Sequence, residues 1–360
     1  MGIRNVAIVG LGIGRSHIAE GYSVHPDKFR VQAICDLNPE RLAAVGDEFD
    51  VPVRTTRFEE VLAMPEIDVV DICTPPSVHV GQILAALAAG KQVICEKPLV
   101  GSLADLDRVA QAEAASPGRV MPIFQYRYGD GLQKAKAIID AGIAGRAYLA
   151  TVETAWKRGA DYYAVPWRGR LETELGGVLL THAIHSHDIM TWLLGPVASV
   201  YCRTTTRVNP IEVEDCAVAS LAMADGSLVS LAATLGSQVE ISRLRFCFET
   251  VTFESGLAPY APGDAPWQIV PATPEIGERI ETVLAGWVPV ASRFAGQLGA
   301  YHAALETGGR LPVTLEDARR SLELATALFH SAETGQPVDL PIRPDHAKYA
   351  DWRPQPKARA

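Results

Sequence analysis

Up to residue 125 the chain alternates short apolar runs with amphipathic stretches. The runs at residues 5–9, 30–35, 69–73, 92–95 and 120–124 are rich in Val, Ile and Cys. They read as strands buried on both faces. Helical patterns lie between them, for example at residues 39–49 and 78–89, the latter closed by Gly90, a residue suited to a helix C-terminus. Strand, helix and strand in series predict a doubly wound parallel sheet with right-handed crossovers.

Beyond Gly129 the pattern changes. A helix is predicted over residues 132–141, a long strand over 147–155 and a helix over 177–194. Strand character follows at 197–208, 216–223, 227–235, 242–248 and 251–254, with Ala224-Asp225-Gly226 as a hairpin signal. Helices at 293–306 and 315–333 close the pattern. The chain thus reads as an α/β protein: an N-terminal Rossmann-type sheet over residues 1–125, then an α+β domain over 126–340 with a large, mostly antiparallel, open-faced sheet. Residues 341–360 are Pro-rich and charged, and read as an extended C-terminal arm with Tyr349 and Trp352 as anchors.

Composition narrows the class. A chain of 360 residues exceeds one compact core. With 48% hydrophobic and 21% charged residues it is ordinary for a globular protein. A net charge of -9 argues against nucleic acid or an anionic membrane as partner. No apolar run is long enough to span a bilayer, and the first strand begins too early to leave room for a signal peptide. None of the six cysteines forms a C-x-x-C pair, so neither a zinc site nor a redox motif is signalled. A reduced, cytoplasmic protein is expected.

The first candidate chemistry follows the first strand. Gly10-Leu11-Gly12-Ile13-Gly14 opens a helix, and such a loop lets a pyrophosphate reach backbone amides at the helix N-terminus. The spacing is one residue shorter than G-x-G-x-x-G. Asp36 ends the second strand, where a carboxylate takes the adenine-ribose hydroxyls, and Leu37 and Asn38 follow it. With no arginine next to Asp36, the cofactor expected is NAD rather than NADP. Lys97, in Glu96-Lys97-Pro98, lies at the carboxyl end of a parallel strand and so points into the crevice where such sheets bind ligands.

Three further runs extend this reading. Asp71-Ile72-Cys73-Thr74-Pro75-Pro76-Ser77-Val78-His79 is followed by Ala89-Gly90-Lys91 and then by Glu96-Lys97-Pro98. Gly176-Gly177-Val178-Leu179-Leu180-Thr181-His182-Ala183-Ile184-His185-Ser186-His187-Asp188 follows later. Together with the glycine loop these resemble the Gfo/Idh/MocA family, which includes glucose–fructose oxidoreductase and inositol dehydrogenases, over nearly the whole chain. The resemblance implies a cofactor site of Gly10, Gly12, Ile13, Gly14, Asp36, Leu37, Thr74, Pro75, His79, Glu96, Lys97 and Gln125. It also implies that His185 occupies the catalytic histidine position and that Gln125-Tyr126-Arg127-Tyr128 joins the two domains beside the nicotinamide. Thr181 stands where many members have aspartate and Ala183 where they have glycine. The missing aspartate removes a negative neighbour one helical turn from His185, and such a neighbour would raise an imidazole pKa.

Oxidising a secondary alcohol needs a hydride acceptor and a base for the hydroxyl proton. Histidine suits the base role near neutral pH, and an ammonium stabilises developing alkoxide charge. Lys97 and His185 are therefore expected to be the acid–base pair. His182, His185 and Asp188 share a spacing of three, but zinc helices favour i,i+4, so no metal is expected and Asp188 is read as orienting a histidine or holding local structure. Residues 156–168 are rich in aromatics and cations. Tyr163, Trp167 and Arg168 are expected to contact substrate with Lys97, Arg127, Thr181, His182 and His185. Arg15 and His17 are read as helix N-terminal residues near the phosphates.

The function expected is NAD-dependent oxidation of a secondary hydroxyl of a sugar, inositol or sugar acid, or the reverse. A redox-neutral glycoside-cleaving enzyme that retains its cofactor is one alternative, and a non-catalytic NAD-sensing regulator another. The apolar faces of strands 216–223 and 227–235 predict a homodimer or homotetramer.

Overall fold

The computed structural model describes residues 2–353 and divides the chain into two compact units. In the first, β1 (Arg4–Val9), α1 (Gly14–Glu20), β2 (Phe29–Cys35), α2 (Pro39–Glu48), β3 (Val53–Thr55), α3 (Phe58–Leu62), β4 (Val69–Ile72), α4 (Pro76–Ala88), β5 (Gln92–Cys95), α5 (Leu103–Ala114) and β6 (Val120–Pro122) alternate. The six strands are parallel, in the order β3-β2-β1-β4-β5-β6. Their apolar residues, such as Val6, Ile8, Val70, Ile72 and Ile94, are fully buried, as a sheet covered on both faces requires. The strand order reverses between β1 and β4. The turns leaving these strands therefore diverge and open a crevice at their carboxyl ends.

The second unit continues with α6 (Asp130–Asp140), β7 (Ala147–Lys157), α7 (Ala160–Tyr163), α8 (Val178–Thr181), α9 (Ile184–Leu194), β8 (Val197–Thr205), β9 (Cys216–Met223), β10 (Leu228–Thr234), β11 (Gly236–Phe248), β12 (Val251–Glu254), β13 (Gln268–Pro271) and α10 (Pro274–Leu284). The chain ends through α11 (Arg293–Thr307), α12 (Leu315–Thr334) and β14 (Val338–Asp339). The sheet order is β13-β12-β11-β7-β10-β9-β8-β14, antiparallel except where β7 meets β10. Burial alternates along β9 and β10, with one face packed inside. On the other face Val218, Leu228 and Leu149 are 58%, 55% and 46% exposed.

Three expectations are corrected. The helix expected over residues 177–194 is two helices, because the backbone leaves helical geometry at His182 (φ -121°, ψ -60°). Residues 293–319 group with the first unit rather than the second. There Phe294 and Leu298 of α11 press so closely on Gly21 that a Cβ would lie 2.6 Å from Leu298 Cδ1. The tail, over its described part, is not an extended arm. Residues 344–350 turn, Trp352 is 2% exposed, and its indole Nε1 donates to Leu175 O at 2.9 Å. Residues 354–360 lie outside the described part.

Candidate active site

The glycine loop after β1 is shaped for close approach. Gly10 has φ +90°, and a Cβ there would lie 2.7 Å from Cys73 O. Gly14 abuts Ile8 Cγ2 at 2.8 Å by the same measure, so α1 packs tightly on its strand. A Cβ on Gly12 would meet nothing within 4 Å. That open step is where a pyrophosphate can reach the amides of an α1 that starts with no side-chain cap. The loop therefore fits a dinucleotide despite its short spacing. Asp36 is nearly buried. Its Oδ2 accepts from Leu11 N at 2.7 Å and its Oδ1 from Asn38 N at 2.8 Å, which fixes the carboxylate at the rim of the loop. Leu37 beside it is 87% exposed.

One expectation about Asp36 needs correction. Asn38 caps α2 by accepting from Arg41 N, and that first turn brings the Arg41 guanidinium back to 3.3 Å from Asp36 Oδ2. An arginine does stand beside the carboxylate, three residues beyond the stretch Asp36–Asn38. The N-cap signal Asn38-Pro39 would have placed it there.

The turns after β4 and β5 lie side by side, since these strands are neighbours. His79, fully buried on α4, clips them together. Its Nε2 is 2.7 Å from Thr74 O, and its Nδ1 is 3.0 Å from Pro98 O and 3.2 Å from Leu99 O. Burial lowers its pKa and favours the neutral ring. Both nitrogens are thus engaged by backbone, and His79 holds the two turns together. Pro75 precedes α4, and Thr74 Oγ1 donates to Gln82 Oε1 at 2.6 Å. Glu96 is buried and its Oε2 accepts from Lys97 N at 3.1 Å, while Lys97 itself is half-buried. Gln125 is buried at the end of the first unit.

Arg15 and His17 lie at the start of α1, as expected, and their side chains turn to carboxylates. Arg15 is exposed and forks onto Glu48. His17 is fully buried between Asp71 and Glu96. His17, Asp71 and Cys73 offer ligand atoms within 4.8 Å of one another, but mutual hydrogen bonding accounts for that spacing.

In the second unit His185 lies in the first turn of α9. Its ring stacks on Tyr126, centroids 4.2 Å apart and planes 24° apart, and it is 4% exposed. Ser186 beside it is hydrogen bonded to Thr154 of β7 at 3.0 Å. Arg127 grips Asp188 in a buried fork, with Nε to Oδ2 at 2.7 Å and Nη2 to Oδ1 at 2.6 Å. Asp188 therefore holds the chain entering this unit. Arg127, expected among the substrate ligands, uses its planar fork in this structural pair, with its guanidinium carbon 5.4 Å from the Trp192 ring centre.

Thr181 ends α8 while His185 lies on α9, so the two are not on one continuous helix as expected. The Thr181 hydroxyl donates to Gly177 O at 2.7 Å and lies 2.7 Å from His182 Nδ1. Glu214 anchors the start of α8, accepting from Gly177 N at 2.9 Å and Leu179 N at 3.0 Å. Burial pushes this carboxyl up to about 7, against the pull of the two amides.

The loop over residues 158–174 builds an aromatic and cationic cluster around His182. The rings of Trp156 and Tyr162 lie 5.4 and 5.5 Å from it. The Arg168 guanidinium covers Tyr162 at 3.9 Å and Trp167 at 4.4 Å, and Tyr163 packs edge-on to Tyr162 at 5.0 Å. Arg158 lies 5.2 Å from both Trp156 and Tyr162, a member of the cluster that the sequence reading passed over. Its place two residues from Trp156, in a run of aromatics, was the available signal.

Comparison with known proteins decides the family. Residues 4–124 match the model of an oxidoreductase family with an NAD-binding Rossmann fold, and residues 132–254 match the Gfo/Idh/MocA C-terminal domain. The chain belongs to the Gfo/Idh/MocA family. Among relatives, an uncharacterized oxidoreductase of Synechocystis sp. is 27% identical, over 61% of this chain and 62% of that one. The chain thus spans less than two thirds of the length of that relative. A D-apiose dehydrogenase of Rhizobium rhizogenes is 26% identical over 86% of this chain and 90% of its own. The WlbA dehydrogenase of Bordetella pertussis, solved with NADH and UDP-GlcNAcA, superimposes with a TM-score of 0.82 at 27% identity, covering 94% of this chain and 99% of that one. The NAD-binding Rossmann domain of this Gfo/Idh/MocA chain is the unit that carries the glycine loop and Asp36. Among the described residues no helix is long and apolar enough to cross a membrane.

Proposed function

We propose that this protein oxidises a secondary hydroxyl of a sugar, inositol or sugar acid with NAD, or reduces the corresponding ketone. Lys97 and His185 act as its acid–base pair. The observation that carries this reading is the fixed Glu96-Lys97-Pro98 turn beside a glycine loop whose open step at Gly12 and fixed Asp36 suit a dinucleotide. Family membership, a relative named D-apiose dehydrogenase and the likeness to a WlbA dehydrogenase solved with NADH and UDP-GlcNAcA support it. Bound NAD supplies the hydride acceptor. Lys97 holds the substrate hydroxyl and stabilises the alkoxide as it forms, and His185 takes the hydroxyl proton. The Tyr126 ring holds the His185 imidazole by stacking, so its orientation is set before substrate arrives.

Tyr163, Trp167 and Arg168 form the substrate wall, with His182 and Thr181 behind it. Aromatic faces suit the apolar face of a sugar ring, and guanidinium groups suit hydroxyls or a carboxylate. The open face of β9, β10 and β7 is a self-association surface, which makes the protein a homodimer or homotetramer.

The test is an NAD-reduction screen over sugars, inositols, uronates and glycosides, with product analysis. Lys97→Ala and His185→Ala should each lower turnover by on the order of 10²–10⁴ while NAD binding by calorimetry stays nearly intact. Near-normal turnover in either variant refutes the pair. Glycoside cleavage without net NADH would replace the dehydrogenase with a redox-neutral enzyme. A monomer mass by light scattering at micromolar concentration refutes the association surface.

A further inference from the structure

Behind Lys97 lies a buried polar cluster that the reaction outlined above does not use. The His17 ring is fully buried on α1. Its Nδ1 lies 2.8 Å from Asp71 Oδ2, and its Nε2 lies 3.0 Å from Glu96 Oε1. The other donors around it also face the two carboxylates. Tyr22 OH donates to Asp71 Oδ2 at 2.9 Å and the Cys73 thiol to Asp71 Oδ1 at 3.5 Å. The Lys97 amide donates to Glu96 Oε2 at 3.1 Å. Phe294 closes the remaining side, its ring centre 4.4 Å from that of His17.

Proton counting follows from this geometry. Asp71 receives three donors and Glu96 two, the arrangement of ionised carboxylates, which only accept. Each ring nitrogen of His17 faces one of them, so each nitrogen must donate. A neutral ring would turn a lone pair toward an anion. Two buried carboxylates this close to one another also need a cation between them. Burial disfavours the charged ring, but the attraction of Asp71 raises the His17 pKa well above its ordinary value. The pull of His17 in turn lowers that of Glu96 against the effect of burial. Tyr22 and Cys73 are both pushed upward, chiefly by burial, and so remain donors.

We propose that His17 is a positioning residue for Lys97: a doubly protonated imidazole, shared by Asp71 and Glu96, that fixes the Glu96 carboxylate against the Lys97 amide. His79 holds Pro98 and Leu99 from the far side. Lys97 thus stands on a turn fixed at both ends, by charge on one side and by a neutral imidazole on the other. The assignment of a catalytic benefit rests on the function proposed above, whereas the charge state and the fixing of the turn do not.

The test uses the full-length protein and the near-isosteric Glu96→Gln variant, which keeps the fold's volume and removes one negative charge. ¹⁵N-histidine NMR should show one imidazole protonated on both nitrogens throughout pH 6–8.5 in wild type, and should show that signal titrating at lower pH in Glu96→Gln. A signal for His17 with one bare nitrogen at pH 7 overturns the proposal. Hydrogen exchange of the Lys97 amide should quicken about tenfold or more in Glu96→Gln as its acceptor weakens, and an unchanged rate overturns the proposal. Glu96→Gln should lower kcat on the order of 10–10²-fold through misplacement of Lys97, with KM for NAD within about threefold. Unchanged kcat, on a substrate that Lys97→Ala no longer turns over, overturns the positioning role. If Lys97→Ala keeps full turnover, the function proposed for Lys97 fails instead, and the NMR and exchange measurements still decide the role of His17.

Discussion

Removing Asp188 should damage the second unit more than any single surface change. Its carboxylate and the Arg127 guanidinium are 2% and 4% exposed and meet in a two-bond fork. Asp188→Ala leaves that guanidinium buried without the carboxylate, a change that costs about 3–5 kcal/mol. For a unit of about 200 residues, each kcal/mol moves Tm by roughly 2–4 °C. The expected loss in calorimetry is therefore about 6–20 °C in the transition of that unit. The two charges are costly to bury in the first place. A paired swap to apolar residues of similar size, Arg127→Met with Asp188→Leu, should consequently recover most of the loss. The pair also bears on the site, since Arg127 follows the Tyr126 that stacks on His185 and Asp188 lies one turn after His185. Turnover should fall in Asp188→Ala at temperatures where the variant is still folded, with KM for NAD little changed. A Tm within 2 °C of wild type, or a double variant no more stable than the single, would refute the reasoning.

Two further outcomes are expected. Asp36→Ala should narrow an NAD preference of at least roughly tenfold and should weaken NAD itself, because the carboxylate also holds Leu11 N. The Arg41 it releases is free to meet a 2′-phosphate, so Asp36→Ala with Arg41→Ala should bind NADP less well than Asp36→Ala alone by calorimetry; equal affinities would remove Arg41 from the account. Trp352→Ala should cost about 3–5 kcal/mol and should also loosen the loop before α8, because the indole bonds Leu175, a non-glycine residue held at φ +70°. Unchanged proteolysis of residues 158–176 in that variant would count against the second effect.

How much of this was legible depended on how local the signal was. The glycine loop, the turn after β4 and the Glu96-Lys97-Pro98 turn each occupy consecutive residues, and their neighbouring strands are apolar enough to read directly. The break between α8 and α9 left no such trace. Apolar residues continue through His182, where the backbone leaves helical geometry, and the Glu214 that anchors the start of α8 takes the Gly177 and Leu179 amides from 37 and 35 residues away. With that break Thr181 and His185 fall on separate helices. The partners of His17 were hidden for a similar reason. Its place after the glycine loop suggests phosphates, and its partners Asp71 and Glu96 are 54 and 79 residues distant. The return of α11 to the first unit is equally non-local, because amphipathicity shows that a helix has a buried face without showing which sheet it covers.

Two buried groups of the second unit should nearly cancel each other's pH dependence, and one substitution should expose the cancellation. His187 is 3% exposed, and its Nε2 has no hydrogen-bond partner among the described residues. Burial lowers its pKa from 6.5 to about 3. In the unfolded chain it takes up a proton as pH falls below 6.5 while the folded protein does not, so its contribution is present above 6.5 and is lost toward pH 3. Glu214 runs the other way. Raised from 4.5 to about 7, it contributes fully below 4.5 and loses that contribution as pH rises through 7. Between pH 4.5 and 6.5 the two slopes, each about 1.4 kcal/mol per pH unit, are opposed. His187→Leu, close in volume, removes one of them. Relative to wild type, the variant should gain about 2 kcal/mol between pH 8 and pH 5, from the 1.5 units separating 6.5 from 5. Urea unfolding of both proteins at these two pH values measures it, and taking the difference cancels every group they share. A difference that stays flat would mean that His187 is protonated in the folded protein, and therefore that water or a carboxylate reaches a ring that the packing of α9 encloses.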